Sequence, residues 1–312
     1  MESGIDIEHK VAPFVVLKIK IKTNRLIVVN KTKSVLPEGI TEILSQYFFN
    51  LSSKEISTLF DATEKDNLTE LDISEFQLFE TFFNYKVDNI KNVGFDFPLH
   101  FPNIGKRNLA IVALEPKRND KNKINKGKVS IGSVFSLQNP LNRETDTNDY
   151  WKLIGPLTQS FNIYVTDLFK IYFEDNGQNP EKKNIRKRYK ELSIATNSNE
   201  NFHSLILKKE LEYFFNSFNN EENIILTLGK EAATAVSTMY QINRLEDEVF
   251  VCQNNIKFIF MPHISRTVTQ NIKTVSRLYE AIGELKNARK NDGDKFKLVG
   301  SQILDLKEEL FS

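Results

Sequence analysis

The amino-acid sequence predicts an α/β protein: a three-layer α/β/α sandwich built on a central, mainly parallel four-stranded sheet, with a hairpin and a helical extension at the N-terminus. Three observations carry this expectation. Four apolar runs, Leu109 to Leu114 with Glu115 directly after it, Phe161 to Asp167, Ile224 to Gly229 and Lys257 to His263, are each bounded by a polar residue or a glycine, the pattern of buried strands whose ends reach solvent. Helical patterns lie between and after them, around Asp149 to Gln159, from Gly229 into the small-residue run Ala232–Val236, and along Val268, Ile272, Val275, Tyr279, Ile282 and Leu285. Alternation of strand and helix is the rhythm of a parallel sheet covered by helices.

Taken in order, residues 14 to 30 alternate Leu17, Ile19 and Ile21 with Lys18, Lys20 and Lys22 and then reach Leu26 to Val29 after Thr23-Asn24, which predicts a hairpin with one wet, lysine-rich face. Helical signals run from about Pro37 to Asp88. Ser52-Ser53-Lys54-Glu55 and Asp72-Ile73-Ser74-Glu75 have the form of helix starts. The aromatics Phe76, Phe79, Phe82 and Phe83 that follow are expected in the core rather than on a base-stacking surface. Asp96 to Asn103, with two prolines, connects into the first buried strand. We therefore expect an N-terminal extension, residues 1–103, packed on an α/β/α domain, residues 104–312.

The first strand ends at Glu115-Pro116. Proline removes a backbone donor and stops the strand, so the carboxylate is delivered to the C-terminal lip, where open parallel sheets bind ligands. Lys117, Arg118, Lys121, Lys123, Lys126 and Lys128 follow in a basic loop. Such clusters are usually only solvated, but this one adjoins the lip and suits phosphate. A second basic cluster, Lys182 to Lys190, lies in a polar stretch that reads as a surface helix or insertion. Gly229 lets the third strand turn tightly into its helix.

Composition narrows the chemistry. The chain has 312 residues, 40% hydrophobic and 27% charged, with a net charge of +1, so a nucleic-acid site has to be a local patch rather than a basic surface. Cys252 is the single cysteine, which excludes an intrachain disulfide and a cysteine-built zinc or iron–sulfur site. His9, His100, His203 and His263 are scattered without ligand spacing, so no metal and no cofactor are expected. No run approaches the ~20 apolar residues of a membrane span, and the acidic N-terminus lacks the form of a leader. A soluble cytoplasmic monomer is the expectation.

From Leu109 onward the order of segments resembles the uracil-DNA glycosylase superfamily, over about two thirds of the chain. Ala113-Leu-Glu-Pro-Lys-Arg118 is similar to the family's Gly-Gln-Asp-Pro-Tyr-His motif, Gly132-Ser-Val-Phe-Ser136 to its Gly-Leu-x-Phe-Ser segment, and Ile163-Tyr-Val-Thr-Asp-Leu168 to the strand ending in its base-reading asparagine. Leu226-Thr-Leu-Gly-Lys-Glu-Ala-Ala233 is similar to its Leu-Gly-x-x-Ala turn, and Pro262-His-Ile-Ser-Arg266 to its His-Pro-Ser-Pro-Leu motif. The resemblance implies that Glu115 orients water and stabilises the sugar cation, that His263 donates to the departing base, and that Phe135 stacks on that base. It further implies that Asp167, Leu114 and Lys117 line the base pocket. Ser265, Arg266, Arg118 and Lys121 are implied to contact DNA, with Arg266 as the wedge. Singly, each residue also fits an ordinary role: Glu115 a surface residue, His263 a loop residue, Phe135 core, Asp167 a helix cap. The ordered set favours the site.

The departures from the family carry information. Leu114 stands where the family has glutamine, Lys117 where it has a pocket-closing tyrosine, and Asp167 where it has asparagine. Asparagine donates to uracil O4 and accepts from N3-H, whereas cytosine presents the reverse pattern. A neutral carboxylic acid, the form that burial favours, can accept from N4-H and donate to N3. The sequence thus points to a cytosine-type base, with room at its 5-position for a substituent such as phage DNA carries, and to antiviral defence. Two alternatives stand: a uracil-DNA repair glycosylase, and a non-catalytic nucleic-acid-binding protein that shares the fold.

Overall fold

In the computed structural model the described residues are 15–18, 28–31, 33–66, 69–77, 92–103, 107–114, 127–144, 149–158, 161–174, 201–218, 222–242 and 250–261. The chain opens with β1 (Val15–Lys18) and β2 (Val28–Lys31), an antiparallel pair of its own. Then come α1 (Glu38–Tyr47), α2 (Ser53–Asp66), β3 (Thr69–Asp72), β4 (Asn92–Phe97), β5 (Leu99–Phe101), β6 (Arg107–Ala113) and β7 (Lys128–Ser133). The remainder is α3 (Pro140–Glu144), α4 (Asp149–Leu157), β8 (Phe161–Asp167), β9 (Ile171–Glu174), α5 (Phe202–Ser217), β10 (Asn223–Leu228), α6 (Lys230–Met239), β11 (Phe250–Gln253) and β12 (Ile256–Met261).

In place of the four-stranded sheet expected, the central sheet has, among the described residues, six strands in the order β11-β12-β10-β6-β8-β5 and is mixed. β12, β10, β6 and β8 run parallel to their neighbours, while β11 and β5 close the edges antiparallel. The edge strand β11 escaped notice because it is short; Asn254 and Asn255, at φ 53° and 62°, return it to β12 in the two-residue turn that asparagine tolerates best after glycine. β6 and β8 are buried almost throughout, as strands covered on both faces are. α5 covers the face bearing Tyr164 and Thr166: Phe214 stacks on Tyr164 at 5.3 Å, and Glu210 accepts from Thr166 at 2.8 Å. Side chains alternate along a strand, so Ile163 and Val165 occupy the other face. There Phe101, paired with Ile163, meets Trp151 of α4 at 5.6 Å.

A second sheet, β3-β7-β4-β9, was not legible in the sequence. The Asp72–Glu75 segment, expected to start a helix, makes one 3-10 turn after β3, with Asp72 accepting from Ser74 N. The Ser52–Glu55 signal is a capping box: Ser52 N donates to Glu55 at 2.8 Å, and Glu55 N to Ser52 Oγ at 3.4 Å. One cluster of rings fastens α1 and α2 to this sheet. Phe49 lies 4.9 Å from Phe95 and 5.0 Å from Phe76, and Phe60 lies 5.6 Å from Phe97. Phe76 is therefore core, while Phe79, Phe82 and Phe83 lie outside the described residues.

Four polar side chains cross the opposite end of the central sheet. Asn162, Asn108 and Asn223 are register mates on β8, β6 and β10. Asn162 Oδ1 accepts from Asn103 N (3.2 Å), which sets the amide's orientation, so His100 Nε2 is the donor to it at 2.7 Å. Asn162 Nδ2 then donates to Asn108 Oδ1 (2.9 Å), and Asn108 Nδ2 to Asn223 Oδ1 (3.0 Å) and Phe218 O (2.7 Å). Burial pushes the His100 imidazole down to about 4, so it is the neutral, Nε2-protonated ring. Glu222 bridges Arg107 and Lys257 at the same end.

Candidate active site

The parallel strands end level with one another at their C-terminal lip. Asp167 pairs with Ala113, and Leu228 with Met261, one step beyond the Val112–Thr227 pair. Gly229, at φ 100°, takes the chain from β10 into α6 and donates from its amide to Met261 O at 2.8 Å. That φ lies where a Cβ is disfavoured, so glycine is required here.

Asp167 closes β8 and is 1% exposed. Beyond it the chain does not fray. Leu168 N donates to Ala113 O (2.8 Å) and Phe169 N to Leu114 O (2.9 Å), so the residues after β8 cross the end of β6. Lys170 Nζ donates to Asp167 O at 2.8 Å and meets Glu210 Oε2 at 2.7 Å, with both side chains sealed from solvent. By alternation Asp167 shares a face with Ile163 and Val165, the α4 side, while Thr166 points to the α5 side. Burial and the Glu210 charge hold the nearby Tyr164 hydroxyl well above its ordinary range.

Phe135 sits in the 3-10 turn Val134–Ser136, which lies against β8. Phe135 and Ser136 both have φ 56°, a left-handed conformation that is costly for residues with a side chain. The turn is held from several sides. Gln138 N donates to Ser133 Oγ (3.1 Å), Gln138 Nε2 to Phe60 O (2.9 Å), and Asn142 Nδ2 to Ser136 O (3.0 Å). Arg143 donates to Leu137 O, to Gln138 O at 3.0 Å and to Ser34 Oγ at 2.9 Å, its guanidinium 5.1 Å from the ring centres of both Phe101 and Trp151. Burial draws this guanidinium down to about 10. The ring of Phe135 stacks on Tyr150 of α4, centroids 3.6 Å apart and planes 8° from parallel.

Of the residues singled out from sequence, Phe135, Asp167 and Leu114 are thus described, with the Phe135 turn against the strand that Asp167 closes, and Leu114 half-buried at the end of β6. Glu115, Lys117, Arg118, Lys121, His263, Ser265 and Arg266 lie outside the described residues, as do the second basic cluster and the helix expected after Val268. Lys170, Glu210, Tyr150 and Arg143 were missed. A lysine three residues after a strand end reads as solvated, since burial of lysine depends on a partner that sequence spacing does not show. Tyr150 lies in the helix expected around Asp149 to Gln159, where no motif distinguishes it from any other helical aromatic.

Among the described residues no group of three or more His, Cys, Asp and Glu side chains gathers in a way that could hold a metal ion, and no helix is long and apolar enough to cross a membrane. No protein-family model matches the chain, and no curated protein matches it.

Proposed function

We propose that this chain is a uracil-DNA glycosylase-like enzyme that extrudes a cytosine-type base bearing a 5-substituent and hydrolyses its N-glycosidic bond. The observation that carries the reading is the buried Asp167 at the level lip of the parallel strands, with the Phe135 turn set against the same strand. A base inside a duplex is out of reach of so buried a side chain and must be flipped out to meet it. A ring then stacks on the base while a buried polar group reads its pairing edge. Asp167 in its neutral form accepts from N4-H and donates to N3, which selects cytosine over uracil.

The hydrolytic residues come from the segments leaving the same lip. Glu115 follows Leu114 directly, and His263 comes two residues after Met261. β6 and β12 both flank β10, and neighbouring strands are about 4.8 Å apart, so the two strand ends lie about 10 Å from each other. That spacing suits two side chains acting on one nucleotide from opposite sides. In this reading Glu115 takes a proton from the attacking water as its oxygen bonds to C1′. The C1′–N bond breaks with its electron pair on the base, and His263 donates a hydrogen bond to the base oxygen as charge develops there. Leu114 and Lys117 face the base, and Ser265, Arg266, Arg118 and Lys121 face the phosphates. The protein works as a cytoplasmic monomer without a cofactor, and foreign, hypermodified DNA is its target.

Oligonucleotides carrying uracil, cytosine, 5-hydroxymethylcytosine or its glucosylated form, scored for abasic product, test this. Release of a modified cytosine is expected, and Asp167→Asn shifts preference toward uracil. Release from the uracil strand alone ends the cytosine reading. Salt-sensitive DNA binding without abasic product from any strand ends the enzymatic one.

A further inference from the structure

The structure assigns Lys170 and Glu210 to a positioning pair that holds the peptide carrying Asp167, an assignment that rests on the glycosylase reading for its functional consequence. The observations begin with strand register. Leu99 pairs with Val165, and Phe95 with Ile171, so three residues, 96–98, face five, 166–170. Two extra residues are accommodated where the chain passes from β8 to β9. Such a bulge takes peptide groups out of the ladder and re-aims the side chain beside it.

Four of the displaced groups have partners here. Leu168 N and Phe169 N bond to the end of β6, and Lys170 O accepts from Asp96 N at 3.2 Å. The Asp167 carbonyl receives the Lys170 ammonium. That ammonium has three protons and three acceptors: Asp167 O, Glu210 Oε2 and Thr166 Oγ1. The Thr166 hydroxyl in turn donates a hydrogen bond to Glu210 Oε2. The side chains of Lys170 and Glu210 are 1% and 0% exposed.

Stability alone does not account for a pair so completely enclosed. Desolvation offsets most of the Coulomb attraction of a buried ion pair, and apolar side chains of equal volume serve stability as well or better. An apolar pair cannot aim a donor at the Asp167 carbonyl. Lys170 does so from within the bulge, and Glu210, reaching in from α5 on the far side of the sheet, holds the lysine side chain in that orientation. Displacement of a reading group by about 1 Å can cost ~100-fold in rate.

The test is the full-length double variant Lys170→Met/Glu210→Leu, with Lys170→Met/Glu210→Gln as a second version and each single variant alongside. The double variants are expected to unfold at or near the wild-type temperature, while Glu210→Leu alone, which strands the lysine charge, unfolds earlier. In the folded double variants kcat for release of the modified base falls about 10- to 100-fold, while affinity for the oligonucleotide changes less than twofold. A folded double variant with wild-type kcat overturns the assignment. Should the wild-type protein release no base, the glycosylase reading fails by itself. The 13C carboxyl resonance of Asp167 then decides the positioning question: an unchanged shift and titration midpoint in the double variant overturn it, and a displaced resonance sustains it.

Discussion

Replacing Phe135 by alanine and by glycine gives two variants whose order of stability is set by one dihedral angle. Both lose the same ring, including its stack on Tyr150, which is worth about 0.5–1.5 kcal/mol beyond burial. That loss cancels in the comparison. In most backbone conformations alanine is the more stable of the two by about 0.5–1 kcal/mol, because glycine gives up more freedom on folding. At φ 56° and ψ 15° alanine instead carries about 1–2 kcal/mol of left-handed strain that glycine does not. The balance reverses, and Phe135→Gly is expected to be the more stable variant by roughly 0.5–1 kcal/mol. Ser136, also at φ 56°, gives an internal control: Ser136→Gly removes no ring and is expected to raise stability by about 1 kcal/mol. Equilibrium unfolding in urea at fixed pH, with slopes compared among variants, measures each difference. If Phe135→Ala equals or exceeds Phe135→Gly, the turn is not left-handed in solution and the strain ascribed to it is absent. Neither variant is expected to release base, since both lack the stacking ring.

His100 is held at about 4, against an ordinary 6.5, by burial that outweighs its bond to Asn162. The unfolded chain takes up that proton first as pH falls, so stability is lost between about pH 6.5 and 4, by on the order of 3 kcal/mol. His100→Gln keeps a donor to Asn162 and is expected to flatten that slope in urea titrations across the window; an unchanged slope assigns the acid loss elsewhere, with His203, also drawn down to about 4 by burial, the next group to test. Asn108→Leu removes the partner of Asn162 Nδ2, Asn223 Oδ1 and Phe218 O together, and at about 1–3 kcal/mol for each stranded group the variant is expected to lose at least 3 kcal/mol. A loss below 1 kcal/mol would mean that the seam is bridged by water. Ser52→Ala, at the capping box of α2, is expected to cost about 1 kcal/mol by thermal or urea unfolding.

The parallel strands were legible because burial on both faces leaves a plain signature: Leu109 to Ala113 and Ile224 to Leu228 are unbroken apolar runs apart from Thr227, and Gly229 marks a turn that only glycine makes comfortably. The second sheet was hidden for the opposite reason. β3 reads Thr-Glu-Leu-Asp and β7 reads Lys-Val-Ser-Ile-Gly-Ser, short and polar segments whose extended state is fixed by partners distant in the chain. The Asp72 signal was real as a cap, but a capping side chain stabilises a single 3-10 turn as readily as the start of a long helix. At the candidate site, Asp167 and Phe135 stand out in the sequence because each falls in a short motif. Lys170 and Glu210 could not, because forty residues separate them and their pairing depends on a bulge that appears only when β4 and β5 are laid against β8 and β9.

That corner has a mechanical corollary. Two neighbouring strand pairs bend from one sheet into the other, at Pro98 and at Leu168 to Lys170, and these two crossings are bonded to each other on either side of the bend. Two strands that bend together, each holding the other's backbone, resist flexing at that corner more than a single strand would. The backbone that carries Asp167 is thereby braced from a second sheet as well as from its own.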